Sequence, residues 1–231
     1  MVVTGTGCRW AFFLNRKSRT SSIFSGFNKH ANNIKYMEFI FDSLSLQVPG
    51  QVYQPAEDSF LLAEAAKDCR GRVLEMGCGC GLASLVAAKN AEHATGADIN
   101  PLAVRCAGKN AELNNITNAD FVESDLFSAV NGSFDTILFN PPYLPTRKGE
   151  KLPGRLNRAF DGGSDGRSII DRFLQDFDSR LAPPGRLYLV QSSANNPEKT
   201  FSLLREKGFS AEAAKRQDFF FEHLLLLRAK R

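Results

Sequence analysis

The stretch Val73-Leu74-Glu75-Met76-Gly77-Cys78-Gly79-Cys80-Gly81 runs from a short apolar strand into alternating glycines, and Leu82-Ala83-Ser84-Leu85-Val86-Ala87-Ala88 continues it as a helix. A strand-to-helix turn of this kind aims backbone N–H groups from a helix N-terminus, and its glycines let a ligand approach the backbone closely. The spacing narrows the ligand. A dinucleotide fingerprint of the G-x-G-x-x-G type needs a glycine where Leu82 stands, so nicotinamide and flavin cofactors lose rank. No Gly-Lys-Ser or Gly-Lys-Thr follows the turn, which excludes a P-loop. On glycines alone, an ordinary α/β turn without a ligand stays open.

Working outward, residues 94 to 99 read as a second strand that ends near Asp98, an acid able to accept hydrogen bonds from both ribose hydroxyls of a nucleoside ligand. The bland role for Asp98 is a helix cap, but Asn100-Pro101 already supplies a cap and a proline at the first helical position. A third strand, residues 121 to 123, leads into Ser124-Asp125-Leu126-Phe127. The fourth, Phe134-Asp135-Thr136-Ile137-Leu138-Phe139, ends on Asn140-Pro141-Pro142-Tyr143. Two prolines can simply stop a strand. The four residue types together suit a reaction at a planar nitrogen. An amide or arylamine nitrogen has its lone pair delocalised and is a poor nucleophile. The Asn140 side-chain oxygen and the Pro141 carbonyl, aimed at its two hydrogens, orient that lone pair and stabilise the charge developing on nitrogen. Pro142 keeps the carbonyl rigid, and Tyr143 offers a flat surface to the substrate.

The pattern Glu-x-Gly-x-Gly-x-Gly resembles the first motif of the class I S-adenosylmethionine-dependent methyltransferases, in which an acid at Asp98 binds ribose. That resemblance implies cofactor contacts for Glu75, Gly77, Gly79, Gly81 and Asp98. It further implies that Asp125 faces the adenine amino group and Leu126 packs on the ring. Asn140-Pro141-Pro142-Tyr143 is similar to the motif of enzymes methylating base exocyclic amines or glutamine amides. Two more strings are narrower: residues 51 to 62, containing Val52-Tyr53-Gln54-Pro55-Ala56-Glu57-Asp58-Ser59, and Gly162-Gly163-Ser164-Asp165-Gly166-Arg167. Together these resemble the HemK-type protein glutamine-N5 methyltransferases over residues 37 to 228, in particular the short archaeal and eukaryotic branch acting on the Gly-Gly-Gln glutamine of a translation termination factor. In that branch the segment at 55 to 59 covers the cofactor, which makes Ser59 the candidate contact to the methionyl end. Residues 55 to 68 equally read as an amphipathic helix with Phe60, Leu61 and Ala65 inward. The Gly162-Gly163 loop reads foremost as structural, with Ser164 and Asp165 as caps.

The remainder alternates as an α/β domain should. Residues 168 to 181 show an apolar helical face built on Ile169, Phe173 and Phe177 with Ile170, Leu174 and Leu181, which Pro183-Pro184-Gly185 is expected to end, and a strand follows at 186 to 191. Asn196 caps, Pro197 starts and Gly208 closes another helix. Residues 209 to 215 and 220 to 228 are expected to form an antiparallel hairpin. The resemblance implies a seven-stranded Rossmann-like sheet, mostly parallel, with helices on both faces and strand order 3-2-1-4-5-7-6. Ligands then sit at the carboxyl ends of the central strands.

Of the 29 basic residues, six (Arg9, Arg16, Lys17, Arg19, Lys29, Lys35) fall in the first 36 positions, which hold no acid, leaving 23 against 25 acidic side chains in the rest. A near-neutral body argues against strong non-specific binding to duplex DNA. Residues 1–36 read as a basic, disordered extension, either an over-extended start before Met37 or an organelle transit peptide. Residues 37–231 are expected to form the methyltransferase domain that the resemblance implies. No apolar run is long enough to span a membrane, and a cytoplasmic location is expected. The cysteines at 8, 69, 78, 80 and 106 show no disulfide spacing, and with histidines at 30, 93 and 223 they give no metal-ligand pattern.

Bacterial relatives carry an N-terminal helical domain that 36 low-complexity residues cannot supply. The resemblance to the short branch implies pairing with a small zinc-binding activator along the sheet edge, which is expected to be the strand around residues 119 to 122. Three classes of function follow. The first is methylation of a release-factor glutamine. The second is methylation of adenine in nucleic acid, or of a protein lysine; adenine methylation normally adds a basic target-recognition segment absent here. The third is a non-catalytic scaffold, which is expected to lack Asn140 or Asp98, and both are present.

Overall fold

The computed structural model describes residues 27–29, 35–145, 161–220 and 222–231. The chain begins with an antiparallel sheet of β1 (Phe27–Lys29), β2 (Lys35–Phe41) and β3 (Leu44–Pro49). Strand β1 lies inside the basic segment expected to be disordered, and β2 starts two residues before Met37. Three residues hold too little alternation to be read as a strand; pairing of Phe27 with Met37 and Lys29 with Lys35 satisfies them. The rest of the basic segment lies outside the described residues. Strand β3 alternates buried and exposed positions, so Leu44, Leu46 and Val48 face the core while Ser45 and Gln47 face away.

The first half of the larger sheet and its helices follow as α1 (Glu57–Ala66), β4 (Arg72–Met76), α2 (Leu82–Ala88), β5 (His93–Asp98), α3 (Pro101–Leu113), β6 (Ala119–Glu123) and β7 (Phe134–Phe139). After the motif loop come α4 (Ser168–Asp176), β8 (Leu181–Ser192), α5 (Pro197–Glu206), β9 (Ser210–Asp218) and β10 (His223–Lys230). The sheet order is β6-β5-β4-β7-β8-β10-β9, which is the expected 3-2-1-4-5-7-6. Strands β4 to β8 pair in parallel, and β10 pairs antiparallel with both β8 and β9. Central strands buried on both faces are near-continuously apolar, as Val73 to Met76 and Thr136 to Phe139 are.

Two apolar clusters flank the sheet. One joins α1, α2 and α3 with β2 and β3, through residues such as Leu62, Leu85, Cys106 and Leu46. The other joins α4 and α5 through Ile170, Phe173, Leu174 and Leu204, with the Phe139 and Phe173 rings 4.5 Å apart. Helix α3 begins as expected: the Asn100 side chain accepts from Leu102 N and Pro101 is the first helical residue. Its Asn110 and Asn114 side chains accept from Gln47 N and Ser45 N, both at 2.9 Å, and so fasten the antiparallel sheet to the domain.

Two local expectations are corrected. Helix α1 buries Asp58, Leu61, Leu62, Ala63 and Ala66, while Phe60 and Ala65 are half-buried. Helix α4 ends at Asp176 with Ile169 only half-buried, a 3-10 turn, Phe177–Ser179, follows it, and Leu181, expected on the helical face, opens strand β8. Pro183-Pro184-Gly185 lies inside β8, where the pairing with β7 shifts between Phe134 and Thr136, so it bulges a strand instead of ending a helix. Among the described residues no helix is long and apolar enough to cross a membrane.

Candidate active site

At the carboxyl ends of β4, β5 and β7 lies a cavity of about 550 Å³. Ser59, Glu75, Gly77, Gly79, Asp98, Asp125, Leu126 and the loop Asn140 to Tyr143 all line it, so residues spread over 85 positions of sequence meet in one cleft. Gly81 does not line it. A Cβ there would lie 2.9 Å from that of Ala107, so this glycine lets α2 pack close to α3 and serves the ligand only through the turn it closes.

The glycine turn is held by the adjoining end of β5. Gly77 N and Cys78 N donate to Ala97 O at 2.7 and 3.0 Å, and Gly79 N donates to Asp98 Oδ2 at 2.9 Å. Gly79 has φ +54° with open space where a Cβ would be, so its backbone faces the cavity uncovered. Asp98 Oδ1 accepts from Asn100 N at 2.8 Å. A carboxylate has about four acceptor positions, and these two bonds leave others directed to the cleft. Burial raises the Asp98 pKa, opposed by the Asn100 and Gly79 N–H groups. Glu75 is buried and accepts from Ser84 N at 2.6 Å and Ser84 Oγ at 2.5 Å. Burial pushes its carboxyl up to about 7 against the pull of those bonds.

At the far wall, Asp125 is exposed and accepts from Arg172 Nη2 at 3.1 Å on each oxygen. Leu126, φ +49°, is half-buried at the apolar wall, and its carbonyl accepts from Ser124 Oγ at 2.6 Å. Ser59 Oγ lies 3.2 Å from Asp58 Oδ1 and 3.4 Å from Ala56 N. It occupies the third position of α1, so its hydroxyl is both a helix cap and part of the cleft wall.

The loop after β7 differs in kind. Asn140 Oδ1 is buried and has no hydrogen-bond partner. A shielded acceptor without a donor costs about 1–3 kcal/mol, which marks a place where a donor from outside is expected. Tyr143 is fixed at both ends: its hydroxyl donates to Asp58 Oδ2 at 3.0 Å, and its carbonyl accepts from Asn195 Nδ2 at 2.7 Å. Tyr53 donates its hydroxyl to the same carboxylate, 3.1 Å from Oδ1 and 3.0 Å from Oδ2. Burial, then the charge of Asp58, holds both phenols well above their usual pKa, so they stay donors.

Asp58 and Tyr53 are two cleft residues to which sequence reasoning gives no role. Asp58 sits three and four positions before Leu61 and Leu62, which places it on their inward face; that spacing was the available signal. Cys78 and Cys80 are buried, and burial keeps their thiols well above the ordinary range, which removes them as nucleophiles.

A family profile, the methyltransferase small domain, matches residues 57–155. The chain is 46% identical over 192 residues to a putative protein N5-glutamine methyltransferase of Methanocaldococcus jannaschii, covering 82% of this chain and 97% of that protein. It is 33% identical to methyltransferase HEMK2 of Mus musculus, over 77% of this chain and 88% of the other. Among solved structures, a chain of the E. cuniculi Mtq2-Trm112 complex, responsible for methylation of the eRF1 translation termination factor, matches with a TM-score of 0.62. It is 25% identical over 78% of this chain and 99% of that one. Fold, cleft and relatives together define a class I methyltransferase, the class whose methyl donor is S-adenosyl-L-methionine. Within that class, the chain belongs to the HemK-type family, in its short archaeal and eukaryotic branch.

Proposed function

We propose that this protein methylates the side-chain amide nitrogen of a glutamine, the Gly-Gly-Gln glutamine of a translation release factor. The observation that supports it most is Asn140 Oδ1, a buried acceptor without a donor, next to the rigid Pro141 and at the mouth of the cofactor cleft. A primary amide brings two N–H donors, one for Asn140 Oδ1 and one for the Pro141 carbonyl. Holding both orients the nitrogen lone pair and stabilises the positive charge that grows on it during transfer. Pro142 stiffens the loop and Tyr143 forms the wall on which the planar amide lies. The cleft fits the donor: Gly77 and Gly79 expose the turn, Asp98 keeps acceptor positions for ribose hydroxyls, Asp125 and Leu126 flank the adenine, and Ser59 and Glu75 border the methionyl end. Bound there, the donor supplies an electrophilic sulfonium methyl.

The names of the relatives support the same substrate, since one is an N5-glutamine methyltransferase and another methylates eRF1. We assign the residues preceding β1 to an extension outside the catalytic unit, whose antiparallel sheet takes in Phe27–Lys29 and Lys35, and the site of action to the cytoplasm, where termination factors work. We also assign the outer edge of β6 to a small zinc-binding activator, by analogy with the Mtq2-Trm112 pair. Co-expression with such a subunit is expected to raise solubility or cofactor affinity, and a fully active, monodisperse chain on its own counts against it.

The functional test uses labelled S-adenosyl-L-methionine with three acceptors: a release factor, the same factor with its Gly-Gly-Gln glutamine replaced, and an adenine-rich oligonucleotide. Label on the first alone is expected. Label on adenine, or on lysine of the replaced factor, overturns the assignment.

A further inference from the structure

The loop Gly162 to Gly166 leans on the backbone of the substrate loop. Gly162 N donates to Leu144 O at 3.0 Å, and a Cβ on Gly162 would lie 2.8 Å from Pro142 O. Gly166, φ +74°, sits where the Asn195 side-chain amide reaches Tyr143 O, and a Cβ there would overlap both the Asn195 amide nitrogen and the Tyr143 carbonyl oxygen. Asn195 is 1% exposed. Its Nδ2 donates to Tyr143 O at 2.7 Å and to Asp165 O at 3.3 Å. Its backbone carbonyl accepts from Arg167 Nη1 at 2.6 Å and from Gln191 Nε2 at 2.7 Å. Arg167, itself 3% exposed, also binds Asn196 O, Thr200 Oγ1 and Asp171. The Asn195 backbone is thus pinned by buried side chains of Arg167 and Gln191, its side-chain Oδ1 has no partner among the described residues, and its side-chain donor goes to the residue that ends the Asn140 to Tyr143 loop.

We infer that Asn195 is a positioning residue for methyl transfer, which holds the Asn140 to Tyr143 loop in register through Tyr143 O, and that Gly166 is glycine to let that hydrogen bond form. The inference rests on the glutamine-methylation reading above. Asn195 lies outside the cavity lining and touches neither substrate nor cofactor; it acts through Tyr143. Reacting groups misplaced by about 1 Å lose up to ~100-fold in rate, so a loosened loop lowers turnover while the glycine turn at residues 77 to 81, held by its own bonds, keeps its affinity.

The full chain, the release factor and labelled cofactor test this with Asn195→Ala, the near-isosteric Asn195→Asp, Gly166→Ala, and the double variant Asn195→Ala/Gly166→Ala. Each Asn195 variant is expected to lower kcat by roughly 10- to 100-fold with the cofactor Kd unchanged. The double variant is expected to be no worse than its worse parent, because both remove one contact. Wild-type chain that labels the glutamine while both Asn195 variants keep full kcat overturns the inference alone; wild-type chain that labels no glutamine overturns the functional reading and the inference with it. Loss of kcat only in step with lost cofactor binding and melting temperature shows a structural role and overturns it too. If Gly166→Ala does not fold, the two Asn195 variants decide.

Discussion

The glycine turn after β4 and the substrate loop after β7 lie side by side at the ends of paired strands, yet they are built differently. The turn is held by neighbours: Gly77 and Cys78 bond Ala97 O, and Gly79 bonds Asp98. Those three N–H groups are satisfied within the chain, and what the turn offers is open backbone at Gly79. The loop is held by distant parts of the chain. Tyr143 is bonded by Asp58, 85 positions away, and by Asn195, 52 away, while Asn140 Oδ1 is left without a partner. A satisfied turn suits a cofactor that binds and leaves at every cycle. An unsatisfied acceptor on a braced loop suits a group that must be strongest as charge develops on the substrate.

The sharpest way to break this contrast is Asn140→Ala. Turnover on the release-factor glutamine is expected to fall about 10² to 10³-fold, the usual loss for one preorganised group, while calorimetry shows cofactor affinity nearly intact. Asn140→Asp is expected to be harmful as well, since it adds charge where a developing cation is to be oriented in fixed geometry. Normal turnover in Asn140→Ala removes the loop from the chemistry.

A second test falls on the turn side and needs no substrate. The Glu75 carboxyl is pushed up to about 7 by burial, against an ordinary value of 4.5. Between those two pH values the folded chain holds a proton that the unfolded chain has released, so stability falls as pH rises from 4.5 to 7 and levels off above. The full change is on the order of a few kcal/mol. Glu75→Gln is expected to remove that slope, so denaturant unfolding at pH 5 and pH 8 differs less in the variant. Equal slopes in the two proteins exclude a raised Glu75.

The same contrast separates what the sequence made legible from what it did not. Local features were legible: the strand and glycines at residues 73 to 81, the Asn100-Pro101 helix start, and the strand ending on Asn140. Each is encoded within a few residues, by periodicity or by a cap. The order of the strands came from family resemblance, because parallel pairing leaves no mark in any one segment. Gly162 and Gly163 read as turn residues, whereas the structure shows Gly162 and Gly166 needed for close approach to Pro142 O and Tyr143 O, a contact invisible without the fold. Asp58 was hidden by a plausible local role, since an acid in the first turn of a helix is favoured anyway. Asn195 was hidden beside Asn196, whose own capping bond to Lys199 N accounts for only one of the two asparagines.

The smallest expected effect tests whether the turn's acid does more than close the turn. Asp98→Ala removes the proposed ribose acceptor together with the two acceptors used by Gly79 N and Asn100 N. Cofactor binding is expected to weaken by about 1–3 kcal/mol, the range for hydrogen bonds to a charged group, with little effect on kcat at saturating cofactor. The alanine alone does not distinguish a lost ligand contact from a loosened turn. Asp98→Asn does: its amide oxygen can still accept one turn N–H, but its nitrogen presents donors where a ribose hydroxyl needs an acceptor. If ribose binds here, Asp98→Asn should weaken cofactor binding while retaining more of the wild-type melting temperature than the alanine. If both variants bind the cofactor as wild type does, Asp98 only joins β5 to the glycine turn, and the ribose is held elsewhere in the cleft.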